Sequence, residues 1–267
     1  MKRYFLLFLL AALACGCSDS EGDTPIGTGS ETQQPVSADE ILPRRLVSVD
    51  VTSTGNTSYS ETYAYDEQGR LTSLTRSGEG YSDTYTYTYA DNTIVQGKTT
   101  FQLQDGRAVL VRMNEGSDFW TEMKFDYDAA GYVASLLSTE AEGFYCDCAV
   151  TYAANGVSYK VRGDEWSETL SIEFDRAGLN NLNLDFYGGF CDIFGAFTDE
   201  YPEALLLGVG GQRLRYLPKT IQESSVDEDG SYNSETRYVY HMDGDYLSEV
   251  EIHQDGELSR RIAFHYE

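Results

Sequence analysis

Proline, tryptophan, histidine and cysteine are all scarce in this chain of 267 residues, which holds 5 Pro, 2 Trp, 3 His and 5 Cys. Bases are few too: 19 Lys and Arg stand against 44 Asp and Glu, for a formal charge of −25. A surface this acidic repels phosphates and anionic headgroups, so nucleic acid is not an expected partner. No apolar run reaches the ~20 residues that a membrane-spanning helix needs. Helix-forming stretches are rare as well. What the chain holds in quantity is 21 Tyr, 12 Phe and 25 Gly. Aromatic residues suit a pleated surface and Gly suits tight turns, so this is a composition of strands and turns.

One short phrase keeps returning. It reads Tyr65-Asp66-Glu67-Gln68-Gly69-Arg70-Leu71, then Tyr127-Asp128-Ala129-Ala130-Gly131-Tyr132-Val133. It returns as Phe174-Asp175-Arg176-Ala177-Gly178-Leu179, and more loosely over Tyr240–Leu247. An aromatic strand end, a polar turn, a Gly and a new alternating run make one hairpin corner. Alternation is plainest in Tyr85-Thr86-Tyr87-Thr88-Tyr89, where Tyr and Thr point to opposite faces. Aromatic residues close strand after strand at Tyr65, Tyr89, Tyr127, Tyr152, Phe174, Tyr216, Tyr240 and Tyr266. Most neighbours in that series lie about 22 to 26 residues apart, the length of two strands and two turns. Two wider gaps imply an extra strand pair near Thr99–Met113 and an insertion near Asp185–Gln212. Asp105-Gly106, Asn155-Gly156, Asp229-Gly230, Asp243-Gly244 and Asp255-Gly256 supply residues suited to tight hairpin turns. Connections this short make consecutive strands antiparallel neighbours. The expected fold is all-β: one antiparallel meander of about 14 to 16 strands, strongly curved or closed into a barrel. The segment 185–211 is apolar and Gly-rich, with a short helix expected after Thr198 or Asp199 and ending at Gly208. It is expected to plug the concave face.

The N-terminus reads as an export signal. Lys2 and Arg3 precede an apolar stretch from Tyr4 to Leu13, and the segment ends in Ala14-Cys15-Gly16-Cys17. A small residue before a Cys, after such a run, resembles a bacterial lipobox. Cys17 is the favoured acylated residue, with Cys15 as the alternative, because the acidic run Ser18–Asp23 begins directly after Cys17. Loss of Lys2 and Arg3 takes the net charge from −25 to about −27. Residues 17–41 are polar and read as a flexible tether. The expected organisation is a signal peptide over 1–16, the tether over 17–41 and one domain over 42–267.

The Tyr-Asp-x-x-Gly-Arg-Leu phrase resembles the YD repeat of Rhs and teneurin-type shells, in full only at Tyr65–Leu71. Over nearly the whole domain the chain resembles a family of Bacteroidota lipoproteins of unknown function with a porin-like β-fold. The acidic run, the repeated corners and a late apolar insertion ending near Leu217-Pro218 carry that resemblance. It implies a lipid-anchored outer-membrane protein, exposed at the cell surface or facing the periplasm, and it carries over no catalytic residue. A membrane-spanning barrel needs a continuous apolar outer band. Here the positions alternating with Tyr hold Thr, Ser, Glu and Asp, so a water-soluble barrel or half-barrel is expected.

Candidate sites are few. Cys146 and Cys148 share one face of a strand, and either is a candidate to pair with Cys191 in an oxidising compartment. His241, His253 and His265 are twelve apart, but hairpin turns at Asp243-Gly244 and Asp255-Gly256 put His253 at the far end of the strands. His265 falls about 10 Å from His241, so the three do not converge and no metal is assigned. Acidic turns such as Asp227–Gly230 lack a calcium-loop pattern. No Gly-x-Ser-x-Gly elbow, His-Glu-x-x-His or P-loop is present. No catalytic residue and no cofactor is therefore nominated, and an enzyme is not the leading expectation. Trp120, Trp166 and the ladder Tyr85, Tyr87 and Tyr89 are the candidate ligand-binding residues, because aromatic faces stack on sugar rings. The leading functional class is a non-catalytic module for a glycan or an envelope protein. A structural component of an envelope complex is the alternative, and a glycan hydrolase with paired carboxylates is the third.

Overall fold

Alternation of period two forces one face of each strand inward and the other out. In a computed structural model of the chain, that rule builds a closed barrel of sixteen antiparallel strands. The structure describes residues 35–55, 58–114, 116–141, 143–187, 200–228 and 230–267. The first half contains β1 (Leu46–Ser53), β2 (Tyr59–Tyr65), β3 (Leu71–Gly78), β4 (Tyr81–Ala90), β5 (Thr93–Gln96), β6 (Thr99–Gln104), β7 (Arg107–Met113) and β8 (Thr121–Tyr127). The second contains β9 (Val133–Glu140), β10 (Gly143–Ala153), β11 (Gly156–Gly163), β12 (Ser167–Leu179), β13 (Tyr216–Asp227), β14 (Gly230–Asp243), β15 (Tyr246–Gln254) and β16 (Glu257–Tyr266). Each strand pairs with its sequence neighbours, and β1 closes on β16 with Val49 opposite Phe264 and Val51 opposite Ile262. A short helix, α1 (Glu200–Leu206), precedes β13, and one turn of 3-10 helix spans Ala38–Glu40.

The expected meander is observed, and β6 and β7 are the extra strand pair. The wide aromatic spacing has a physical cause. Tyr65, Tyr89, Tyr127, Tyr152, Tyr240 and Tyr266 each donate their hydroxyl to a carbonyl at or near the start of the preceding strand. The acceptors are Leu46, Leu71, Ala108, Val133, Pro218 and Leu247. Each tyrosine thus ties the end of one strand to the beginning of its partner. Burial holds the hydroxyls of Tyr65 and Tyr89 in the donating form, pushing their pKa values up to about 12. Arg45, Arg70 and Arg107 each directly precede an acceptor and lie over the ring that reaches it, 5.7, 4.4 and 5.6 Å from the centroids of Tyr65, Tyr89 and Tyr127. The Gly-Arg-Leu part of the repeat is therefore a turn, a cover for the ring and an acceptor for its hydroxyl.

The Asp of the phrase shapes the corner. Asp66 Oδ1 accepts the amides of Gln68 and Arg70, and Asp128 Oδ1 accepts those of Ala130 and Tyr132. Gly69 and Gly131 hold φ of +80° and +91°, which side chains larger than hydrogen strain against.

Even-to-odd connections all lie at one end of the barrel, here termed the corner end; odd-to-even hairpins lie at the other. The insertion between β12 and β13 closes the corner end. Leu182, Leu184, Phe186, Tyr187, Ala204, Leu205 and Val209 join the wall's buried residues in one core. Phe186 packs edge-on against Phe264 at 5.4 Å and against Tyr63 at 6.5 Å. Main-chain bonds lock the plug to the wall, from Ala108 N to Val209 O and from Gln212 N to Gly131 O. α1 ends as the sequence implies, with Gly208 at φ +72°. The expected caps Thr198 and Asp199 lie outside the described residues.

The chain enters at the corner end. Ser37 and Glu40 form a capping box, and Glu40 pairs with Arg215 beside the plug. Leu42 N bonds Asn181 O, and the Arg45 and Glu267 backbones bond each other. Residues 35–41, the end of the expected tether, thus contact the barrel.

Candidate functional site

The opposite end has no plug among the described residues, and a cavity opens there. Glu168, Leu170, Ile221, Glu223, Tyr238, Ile252 and Arg260 are among its walls, with an empty volume of 830 Å³ that includes its opening to solvent. Leu170, Ile221, Tyr238 and Ile252 give it an apolar lining. Glu168, Glu223, Gln254 and Arg260 add charge and hydrogen-bonding groups. Ser234 Oγ donates to Glu223 Oε2 at 2.9 Å, which fixes that carboxylate. On β2, two strands round the wall from Arg260, Glu61 is only 6% exposed despite its charge. Arg76 Nη2 lies 2.7 Å from it, and Tyr63 donates its hydroxyl to it at 2.7 Å. Burial, and then the Glu61 charge, pushes the hydroxyls of Tyr63 and Tyr59 above the ordinary tyrosine value, so both stay neutral donors.

Aromatic side chains rim this mouth on separate hairpins. Phe119 is 84% exposed and Trp120 36%, just before β8. Phe144 on β10, Tyr81 on β4 and Tyr232 on β14 are exposed as well. The β13–β14 hairpin stands above its neighbour: the Asp255 amide at the β15–β16 tip bonds Glu235 O, several residues short of the β14 start.

The residues singled out by sequence fall in different places. Trp120 lies on the rim. Trp166 is half-buried, with its ring 6.2 Å from Tyr145 and its indole seated over Gly163, where a Cβ would lie 2.1 Å from Nε1. Tyr85, Tyr87 and Tyr89 face the interior and pack against the core. Tyr87 is buried and donates to Glu203 of α1 at 2.8 Å. Tyr89 donates instead to the wall at Leu71 O, so of the three only Tyr87 is seen to reach the plug among the described residues, and none stands on the outer face. Cys146 and Cys148 both point inward and are buried. Cys15, Cys17 and Cys191 lie outside the described residues.

The three histidines do not share one point, but His241 and His253, expected at opposite ends of their strands, both approach Glu251. His265 Nε2 lies 2.8 Å from Asp50 and His253 Nε2 lies 3.3 Å from Glu251. His241 instead joins Glu249 and Glu251 in a cluster that the sequence reading did not contain. Glu168, Glu223, Arg260 and Glu61 were also missed as a group. A signal was present: each is in phase with the apolar face of its strand, as Glu168 is with Leu170, Ile172 and Phe174.

Among the described residues the outer wall is mostly polar. Outward positions form cross-strand pairs such as Arg112 with Glu122, Arg162 with Asp147, Lys219 with Glu173 and Arg261 with Glu251. Thr75 bonds Thr84 and Ser77 bonds Ser82. Exposed Val95, Leu137, Val226, Val239 and Met242 are scattered among them, and the described residues form no apolar band.

Solved structures share this architecture, two porin-like proteins among them. One is a porin-like protein from Bacteroides uniformis, with a TM-score of 0.67 and 16% identity, over 85% of this chain and 99% of that one. The second is a porin-like protein from Bacteroides vulgatus, with a TM-score of 0.63 and 16% identity, over 84% and 99%. The chain has their fold. No protein-family model and no curated protein matches its sequence.

Proposed function

We propose that this chain is a bacterial envelope protein, anchored through lipid on Cys17 at the outer membrane, that binds a glycan at its open mouth without chemistry. The observation that carries this reading is the inversion of the membrane-barrel pattern. A spanning barrel is apolar outside and polar within. This one bears ion pairs and hydroxyls outside and an aromatic, plugged interior. Porin-like neighbours support an envelope setting, and the polar wall favours a barrel held beside the membrane by an anchor. Residues 35–45 dock at the corner end, opposite the mouth, which supports an anchor on the side away from the ligand site.

The mouth suits a neutral, hydroxyl-rich ligand. Its lining offers apolar surface for a ring face and Glu168, Glu223, Gln254 and Arg260 for hydroxyls. Rim aromatics add stacking surfaces. A glycan array probed with the purified protein tests this. A saturable signal that Glu223→Gln weakens on the order of tenfold and Phe119→Ala several-fold is the expected result, since a lost charged hydrogen bond costs about 1.5–3 kcal/mol and a lost stacking contact about 0.5–1.5 kcal/mol. Binding of an envelope protein alone would move the ligand to the protein class.

Two carboxylates in one cavity favour a hydrolase as the second reading, with Glu168 and Glu223 in the roles of acid and base. Turnover of a bound glycan, abolished by Glu223→Gln, would establish it. An assembly role has less to rest on, because a closed barrel presents no free strand edge for pairing.

A further inference from the structure

On the outer wall, away from the mouth, His241 of β14 lies directly opposite Glu249 of β15. Glu251 is two residues further along β15 and so faces the same way. A ring nitrogen of His241 and one carboxylate oxygen from each Glu lie within 4.8 Å of one another. The neighbouring histidines close directly on carboxylates, His265 on Asp50 and His253 on Glu251. The His241 ring and the Glu249 carboxylate make no such ion pair among the described residues. They face a shared space without bonding across it. The third donor is held from behind: Arg261 Nη2 lies 2.9 Å from Glu251 Oε1, and His253 Nε2 lies 3.3 Å from its Oε2. Bonds of this kind orient a metal-binding carboxylate.

We propose that His241, Glu249 and Glu251 form a binding site for a divalent transition metal of the zinc class. An imidazole with two carboxylates is a donor set for such ions, and metal bonds of about 2.0–2.2 Å would require the donors to draw in by roughly an ångström. His241 is exposed, so its ring is free to turn. Water completes the coordination. Calcium fits poorly, because it seeks about 6–8 oxygen ligands and this site offers an imidazole and two carboxylates. The net charge of −25 raises the local concentration of cations at the wall. A bound ion would pin the β14–β15 hairpin near its corner.

The test is calorimetric titration of the untagged, metal-free full chain with Zn²⁺ in detergent solution. One equivalent should bind. His241→Ala and Glu249→Gln should each weaken it on the order of tenfold or more. His265→Ala, on the same wall but outside the cluster, should leave it unchanged. Circular dichroism confirms that each variant is folded, as expected for side chains on the outer wall. Absence of binding by the parent protein would overturn the proposal. So would binding indifferent to His241→Ala, or binding lost with His265→Ala.

Discussion

Tyr152 differs from phenylalanine by one oxygen, and that oxygen joins the end of β10 to the start of β9. Its hydroxyl donates to Val133 O at 2.9 Å from within the barrel. Tyr152→Phe should cost about 1 kcal/mol, because the carbonyl loses its partner where water has little access. Urea denaturation measures this, and an unchanged midpoint would show that the hydroxyl carries no stability. Phe174 occupies the same place in the sequence rhythm without a hydroxyl, so the aromatic body packs whether or not it bonds. Gly156 answers to a different constraint. A Cβ there would lie 2.1 Å from Ile172 O, which is main chain and cannot swing aside. Gly156→Ala should lower the melting temperature by several degrees, as a loss of about 1–3 kcal/mol would. The aromatic strand ends and the Gly turns were legible because period and turn chemistry are local. The hydroxyl targets were not, since an acceptor 18 to 22 residues away can be named only once the register is known. The mouth's Glu168 and Glu223 were hidden for a related reason. With 44 acids in the chain, only their phase with the apolar face sets them apart.

The elements that close the corner end act as a plug and a strap. Leu205 of α1 is 7% exposed and packs in the same core as the wall. Leu205→Ala should cost about 2–5 kcal/mol, through lost burial and the cavity left behind. A loss below about 1 kcal/mol in chemical denaturation would mean that α1 is not part of the cooperative core. The strap at Ser37–Glu40 gives a pH-dependent signature. Hydrogen bonds from Arg215, and then from the Ser37 amide and hydroxyl, hold the Glu40 pKa down to about 2 from 4.5. A carboxyl depressed on folding stabilises fully above its unfolded value and loses that contribution as pH falls through its folded value. The stability gap between the parent protein and Glu40→Gln should therefore be full at neutral pH and close between pH 4.5 and about 2. A gap independent of pH would show that the pair does not form. The insertion was recognisable by its apolar, Gly-rich composition and by the stop at Gly208. The strap is indistinguishable from tether in the sequence, because its hold is a polar pair with Arg215, far along the chain, which leaves no periodicity.

The whole molecule turns the pattern of a spanning barrel inside out. Sixteen strands would ordinarily enclose a water-filled lumen. Here tyrosines and the plug fill one end, and a cavity lined by β12–β16 opens at the other. Closure by β1 on β16 pairs the first strand with the last, so the final contacts wait on the full length of the chain and folding should be slow. Closure also removes the strand edges that would otherwise invite association. The sequence repeat carried the meander and its strand number. It did not settle closure, which depends on how much each strand pair twists. The most direct test of the water-facing wall is detergent phase partitioning of residues 35–267, which hold every described strand but neither Cys15 nor Cys17. Recovery in the aqueous phase, folded by circular dichroism and monodisperse without detergent, is the predicted result. Partitioning into detergent, or folding only when detergent is present, would contradict it and make the barrel a membrane-spanning one.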